Sequence, residues 1–442
     1  MNKIVVIGAN QCALVFAELA ANAGFDVTLY EKKSKSGVAY DWTDDMAPET
    51  FGEIGLPLPP DDIYYRKRPW AFVSPQKECS VLLDMPENEL DISVARRPLN
   101  DWLEARALTA GAKIFYGIAA KAALAAGRSV KGIILEDGTE VCADLTVDCG
   151  GISSAVRQSL PSEFKIPAAA DLKNAFYVRR AFFARPDGTD RPEYTNKAYL
   201  KHIGEAGISW CILSHDETEA DVLIGRVGKM SDETYKNALA DLRLDNDIIG
   251  ETLVGGGELL TIPVRRPISR MTAEGYALLG DSAYMTIPML GSGIASGMKA
   301  AKILTEVISK PSGDAFSMSN LYRYQKRFMN EIGAKHAAVD LMKNWLLNSR
   351  EGEVDFLLSS KVVDEKQLKQ GATGEMMTLS FSELIDKAVK GRKNLPLLIR
   401  LSGLLVAMKR QYRLASSLPR EYDEDRLLLW QKKYSSAYGD EF

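Results

Sequence analysis

The chain has 442 residues, an apolar share of 46% and a formal net charge of −4, which predicts a soluble globular protein of two domains and a tail. A slightly acidic balance with no basic, aromatic-interleaved face excludes a general nucleic-acid binder. The five cysteines (Cys12, Cys79, Cys142, Cys149, Cys211) share no C-x-x-C spacing, so no disulfide framework and no zinc, iron–sulfur or other metal site is expected. The amino terminus runs straight into an apolar strand, so no signal peptide is expected, and no run reaches the roughly 18 apolar residues a spanning helix needs. A reducing cytoplasm is the expected compartment.

The β-branched run Lys3-Ile4-Val5-Val6-Ile7 predicts a buried parallel strand. Gly8-Ala9-Asn10-Gln11-Cys12-Ala13 then turns into a helix whose apolar face is Leu14, Val15, Ala17, Leu19 and Ala20 and which stops at Gly24. The next strand, Asp26 to Tyr30, ends at Glu31. That carboxylate lies about twenty residues past the glycine turn, where a dinucleotide's adenosine ribose is held. Gly8, Asn10 and Ala13 occupy the places of G-x-G-x-x-G, with Asn10 replacing a glycine. Asn tolerates left-handed dihedrals better than most residues. Gln11 and Cys12 within the turn and Lys32 beside Glu31 join the expected cofactor-binding set. A purely structural Rossmann crossover is the alternative at this point.

Further along, Arg96-Arg97-Pro98 opens a helix with apolar Leu99, Trp102, Leu103, Ala107 and Leu108, closed by Gly111. Arg96, just ahead of that helix, is placed for a phosphate; a solvated charge is the other reading. A strand at Lys113 to Tyr116, a hairpin over Gly132 to Val141 with Asp137-Gly138 at its turn, and a buried strand at Leu145 to Asp148 follow. Four strand-like runs, Phe176 to Val178, Arg180 to Phe183, Ile208 to Leu213 and Asp221 to Gly225, predict a substrate-covering sheet between about residues 155 and 270. Trp210 is read there as core or as a wall facing the cofactor. His202, His215 and His336 have no ligand spacing and are expected to be satisfied or solvated. Gly280-Asp281-Ser282-Ala283 offers a carboxylate to sugar hydroxyls, and Pro288, Gly291, Gly293 and Ile294 open a helix whose free N–H groups face an electron-rich ring. With the amino-terminal turn, this reads as a flavin site built from both ends of one domain. From about residue 316 the tail is helical. Lys387 to Arg413 is rich in leucine and basic residues without an acidic one. It predicts either a helix packed on the core with a basic rim or a peripheral membrane contact.

In their order, Gly8 to Ala13, Arg96 to Leu103, Gly150 to Arg157 and Gly280 to Ile294 resemble the motifs of the para-hydroxybenzoate hydroxylase-fold flavoproteins. Within these, the chain is most similar to the geranylgeranyl reductases, whose Gly-Tyr-x-Trp strand Gly207-Ile208-Ser209-Trp210 resembles. The resemblance implies an α/β fold: a Rossmann-like FAD-binding domain (1–155 and 265–315), an inserted antiparallel β-sheet substrate domain (156–264) and a C-terminal helical region (316–442). It implies FAD, with Gly8, Asn10 and Ala13 at the pyrophosphate, Glu31 at the ribose, Arg96 at the phosphate or ribityl chain, Asp281 at a ribityl hydroxyl, and Pro288 to Ile294 beside the isoalloxazine ring.

Departures lie on the substrate side. The family's Asp-Gly is Gly150-Gly151, with the nearest carboxylate at Asp148, and Trp210 is followed by Cys211-Ile212-Leu213. Where many reductases carry a cysteine stands Gly37 to Asp45, a polar, aromatic segment also similar to lycopene cyclases. The implied activity is reduction of carbon–carbon double bonds in an apolar, isoprenoid-type small molecule or lipid. Electrons would come from NAD(P)H, ferredoxin or a separate flavin reductase. The alternatives are a flavin monooxygenase or halogenase using a C4a-hydroperoxide, and a degenerate non-enzymatic scaffold. No catalytic residue is named; Tyr40, Trp210 and Tyr284 are candidates by location.

Overall fold

The computed structural model describes residues 2–86, 89–377 and 379–438. A six-stranded sheet forms around Lys3–Ile7, which pairs in parallel with Asp26–Glu31 on one side and Leu145–Asp148 on the other. Lys113–Tyr116 and Tyr276–Leu278 extend it in parallel, and the two-residue strand Thr272–Ala273 closes one edge antiparallel. Buried runs such as Leu145–Asp148 suit a sheet covered on both faces. The helices Gln11–Asn22, Arg96–Thr109 and Ile294–Ser309 pack together beside it. Gly297 permits that approach: a Cβ there would lie 3.0 Å from the Cβ of Cys12.

The second large sheet has seven strands in the order Leu253–Pro263, Ala175–Ala184, Glu219–Val227, Gly207–Leu213, Asn196–Leu200, Trp70–Val73, Ser80–Leu83. Only the Asn196–Leu200 and Trp70–Val73 pair is parallel. Period-two alternation sorts its faces. Ala181, Phe183, Cys211, Leu213, Val222 and Ile224 pack under the helix Asp232–Asp245. Phe176, Val178 and Leu223 face the other way, with Trp42.

The runs read as Phe176 to Val178 and Arg180 to Phe183 are one continuous strand. The strand Leu253–Pro263 escaped the sequence reading because Gly255, Gly256 and Gly257 interrupt its apolar pattern. Gly256 has φ +70°, and a Cβ there would lie 2.3 Å from the Arg180 carbonyl oxygen, so the sheet shifts register around it. The carboxy-terminal region is helical from Met318, with a π turn at Met329–Gly333 leading into Ala334–Asn348. No helix among the described residues is long and apolar enough to cross a membrane.

Two buried histidines tie stability to pH. His202 lies between Ser209 Oγ (3.0 Å) and Asp241 Oδ2 (2.8 Å), and burial, only partly countered by Asp241, pushes its pKa down to about 4. Burial, with Lys335 adding to it, likewise pushes His336 down to about 4. Both rings are neutral at pH 7, so His202 donates to Asp241 as a neutral group. Unfolded, each would titrate near the ordinary 6.5. The stability these neutral rings lend is therefore complete above that value and is lost as pH falls toward 4. Denaturant unfolding is expected to lose on the order of 2 kcal/mol per ring by about pH 5. His336→Gln should flatten its share of the profile, and an equally steep profile in that variant would refute the assignment.

Candidate functional site

The carboxyl ends of the parallel strands converge where ligands bind in open α/β sheets. Gly8 has φ +92°, and a Cβ on it would lie 2.9 Å from the Cys149 carbonyl oxygen, so a larger residue would break the approach of the first turn to the end of the strand Leu145–Asp148. The Asn10 side chain turns inward: Nδ2 donates to Cys149 O at 2.8 Å while Oδ1 accepts from Ala13 N at 3.2 Å. Asn10 thus caps the helix Gln11–Asn22 and is held away from the space in front of it. Gln11 and Cys12 are the first two helical residues, whose N–H groups have no intrahelical partner, so this end suits an anion such as a pyrophosphate. Glu31 is buried, with Oε2 accepting from Ala9 N at 3.0 Å and Oε1 from Lys33 N at 2.8 Å. Beyond these two donors Glu31 has no further hydrogen bond among the described residues, and a carboxylate has lone pairs to spare for hydroxyl donors. Lys32 is exposed beside it.

At the other end, Gly280–Ala283 is a short 3-10 turn following Tyr276–Leu278. Asp281 accepts from Thr286 Oγ1 at 3.0 Å through Oδ1. Burial raises its pKa above the ordinary carboxylate range, with Thr286 and Arg96 pulling it back. The helix Ile294–Ser309 starts at Gly293 without a side-chain cap, and Ala295 and Ser296 of its first turn line a cavity of about 370 Å³. Its N–H groups thus open toward that space. Gly291, with φ +77°, shapes the loop before it. Taken together, the capped anion site, the Glu31 carboxylate, Asp281 and the open helix terminus fit FAD.

Arg96 stands at the cavity wall, where Nε and Nη2 grip Asp44 at 2.5 and 2.7 Å and the guanidinium lies over Tyr40 and Trp42. It therefore carries a carboxylate partner in addition to any ligand. Asp45 pairs with Lys67 at 2.7 Å and accepts from Ser93 Oγ at 2.5 Å. Burial works against its charge, but Lys67 and Ser93 more than offset it and hold its pKa low. Arg180 pairs with Asp221 inside the seven-stranded sheet and donates to Thr43 O at 2.7 Å and Thr43 Oγ1 at 2.9 Å, which stitches that sheet to the 43–46 strand. Trp210 lines the cavity beside Arg180 and meets Trp70 edge-on, its Nε1 without a hydrogen-bond partner among the described residues.

Tyr40 stacks obliquely on Trp42. Tyr284 is buried behind the Gly280–Ala283 turn, under Arg157 and Arg265, and its hydroxyl accepts from Asp171 N at 3.1 Å. Trp210 and the Asp44–Arg96 pair are therefore brought to the cavity, and Tyr284 sits apart from it.

Several residues at the site were given no role by the sequence. Asp44 and Asp45 lie in a segment noted only for polar and aromatic character, and their partners are more than 20 residues away in sequence. Asp148 accepts from Gly150 N (2.8 Å), Ser154 Oγ (2.6 Å) and the Tyr276 hydroxyl (2.6 Å), which locks the segment after its strand. Arg157, fully buried, donates to Ser282 O at 2.7 Å and Ile152 O at 2.5 Å and so holds the Gly-Asp turn in place. His336 lines the cavity, and its buried Nδ1 has no hydrogen-bond partner among the described residues.

A second cavity, of about 240 Å³ and almost wholly apolar, continues from the first. Phe72, Phe176, Ile208, Leu290 and Ala372 line both. Its far wall is made by the tail helices, with Leu384, Leu398, Leu401 and Leu405.

Residues 91–219 match the tryptophan halogenase family. The chain is 26% identical over 304 residues to the digeranylgeranylglycerophospholipid reductase of Sulfolobus acidocaldarius, covering 66% of each chain. It is 27% identical over 354 residues to digeranylgeranylglycerophospholipid reductase 1 of Methanopyrus kandleri, covering 74% of this chain and 86% of that one. Among solved structures, a geranylgeranyl bacteriochlorophyll reductase-like protein of Thermoplasma acidophilum superposes with a TM-score of 0.71 at 20% identity, over 91% of this chain and 99% of that one. The myxobacterial chondrochloren halogenase, a variant FAD-dependent halogenase, gives 0.60 at 17% identity over 96% and 99%. In sequence the chain is thus similar to the digeranylgeranylglycerophospholipid reductases, and it shares its fold with a geranylgeranyl bacteriochlorophyll reductase-like protein and with an FAD-dependent halogenase.

Proposed function

We propose that the protein binds FAD and reduces carbon–carbon double bonds of an isoprenoid-type lipid. The observation that carries this reading is the junction of the two cavities. The space beside Gly291 and Ala295 runs past Phe176, Ile208 and Leu290 into an apolar pocket. A long hydrocarbon chain laid along it would present an alkene at the ring end and bury its remainder at about 25 cal/mol per Å². In this reading residues 1–155 and 265–315 hold the cofactor, 156–264 cover the substrate and 316–442 close the apolar end. Gln11 and Cys12 would meet the pyrophosphate, Glu31 the ribose, Asp281 a ribityl hydroxyl, and the Ile294 helix terminus the ring. Bound FAD, once reduced, would supply hydride to the alkene.

The chain's own task is then to exclude water, align the alkene and deliver a proton to its other carbon. Two groups lining the larger cavity hold protons more firmly than in water. Asp91 is raised chiefly by burial, with Asp45 and Glu49 adding to it, and Tyr65 is raised by burial and then Asp45. The sequence holds no second dinucleotide fingerprint, so the electrons come from transiently bound NAD(P)H, a ferredoxin or a separate flavin reductase.

Ile208→Trp is expected to plug the junction. It should lower turnover of a long isoprenoid on the order of 10²-fold through misplacement of the chain, leaving the flavin absorbance unchanged. Undiminished turnover would show that the substrate lies elsewhere.

A further inference from the structure

The two helices that form the far wall of the apolar cavity also present an outward face that the fold leaves bare. On Phe381–Lys390, Leu384 is 46% exposed, Ile385 52% and Val389 55%; on Leu395–Ala415, Leu395 is 60% exposed, Ile399 72% and Val406 67%. Leu395, Ile399 and Val406 follow helical spacing along one stripe. The same helix turns Leu397, Met408 and Gln411 inward, so the stripe is its second, unpartnered face. Scattered exposed leucines need no explanation, but six large apolar residues on two consecutive helices make a patch of the kind that marks an interaction site.

Charge identifies the occupant. Between residues 387 and 413 there is no acidic residue. Lys390 is paired with Asp386 and Arg400 with Glu353. Arg392, Lys393, Lys409, Arg410 and Arg413 are exposed and have no carboxylate partner among the described residues. Apolar side chains ringed by unpaired cations match an interface of acyl chains under anionic headgroups. A second copy of the same surface would instead set like charges against one another. The patch also adjoins the cavity: Leu384, Ala388 and Ser402 are exposed and line the apolar pocket at once, so its mouth lies between these two helices.

We propose that this face docks on an anionic bilayer and that the apolar cavity opens into the membrane there, so that a lipid chain slides from the bilayer into the pocket without crossing water. This rests on the lipid-reductase reading for what enters the pocket, whereas the docking itself does not.

The test uses the full-length holoprotein and vesicles of phosphatidylcholine with or without phosphatidylserine, read by co-sedimentation. The unaltered protein is expected to bind the phosphatidylserine vesicles. Neutralising Arg392, Lys393, Lys409 and Arg410 to Gln should weaken binding by up to roughly fivefold per charge. Ile399→Asp and Val406→Asp, at exposed positions outside the cavity lining, should also release it, with the flavin spectrum intact. Turnover of a vesicle-embedded isoprenoid should fall in all these variants, while turnover of the same lipid in detergent is retained. Absence of vesicle binding by the unaltered protein overturns the proposal. So does a stable dimer in solution that Ile399→Asp dissolves, which would assign the face to a second copy. If vesicles bind but no isoprenoid is reduced even in detergent, docking stands and the substrate reading fails.

Discussion

Arg157→Met is expected to lower the free energy of unfolding by about 3–5 kcal/mol. The guanidinium is fully buried and has no carboxylate partner among the described residues; it is held by the carbonyls of Ser282 and Ile152 and lies over the Tyr284 ring, 5.1 Å from its centroid. Methionine fills much of the volume but strands two carbonyl oxygens in the interior at about 1–3 kcal/mol each. Because Ser282 belongs to the Gly280–Ala283 turn, FAD affinity should fall with stability. Urea unfolding measures the effect, with Arg157→Lys keeping the charge but reaching one carbonyl at a time. A loss below about 1 kcal/mol for the methionine variant would mean that the turn is held by its own backbone.

Asp281→Ala should weaken FAD binding by about 1.5–3 kcal/mol, roughly 10- to 150-fold, as a charge-assisted hydrogen bond to the ribityl chain is lost. Thr286 occupies Oδ1, which leaves Oδ2 without a protein donor among the described residues. A hydroxyl donor there favours the ionised carboxylate. Burial raises the pKa of the protein's Asp281, so FAD affinity should weaken as pH falls through a range above that of an ordinary aspartate. Asp281→Asn should lose this pH dependence while keeping the bond to Thr286. Equal affinity for FAD in the alanine variant, measured by fluorescence titration, would place the cofactor elsewhere.

The six-stranded sheet and its turns were the more legible part of this chain because local rules govern them. A β-branched run before Gly8, an acidic residue at the end of the second strand and a Gly-Asp before an uncapped helix each carry their meaning within a few residues. The strands Lys113–Tyr116 and Leu145–Asp148 fall where their apolar patterns predict. The seven-stranded sheet follows from pairings between distant segments. Trp70–Val73 and Ser80–Leu83 join a sheet whose other strands begin a hundred residues later. Arg180 meets Thr43 across 137 residues. Asn10 also needed the third dimension: its side chain, unexpected in a glycine fingerprint, satisfies Cys149 O and caps its own helix. Of the tail's two readings, packing on the core is seen at Leu397 and Met408, while Ile399 and Val406 of the same helix stay exposed.

Reduction of an alkene by the flavin is tested by a single turnover under argon. The FAD-loaded protein is reduced chemically and mixed with a geranylgeranyl lipid, and the product is weighed by mass spectrometry before and after admission of air and halide. Gain of two hydrogen atoms per double bond without oxygen, and reoxidation of the flavin in step with product, are expected. A lipid unchanged under argon, with an oxygen or halogen atom added only once air and halide are admitted, would contradict alkene reduction and assign the site to monooxygenase or halogenase chemistry.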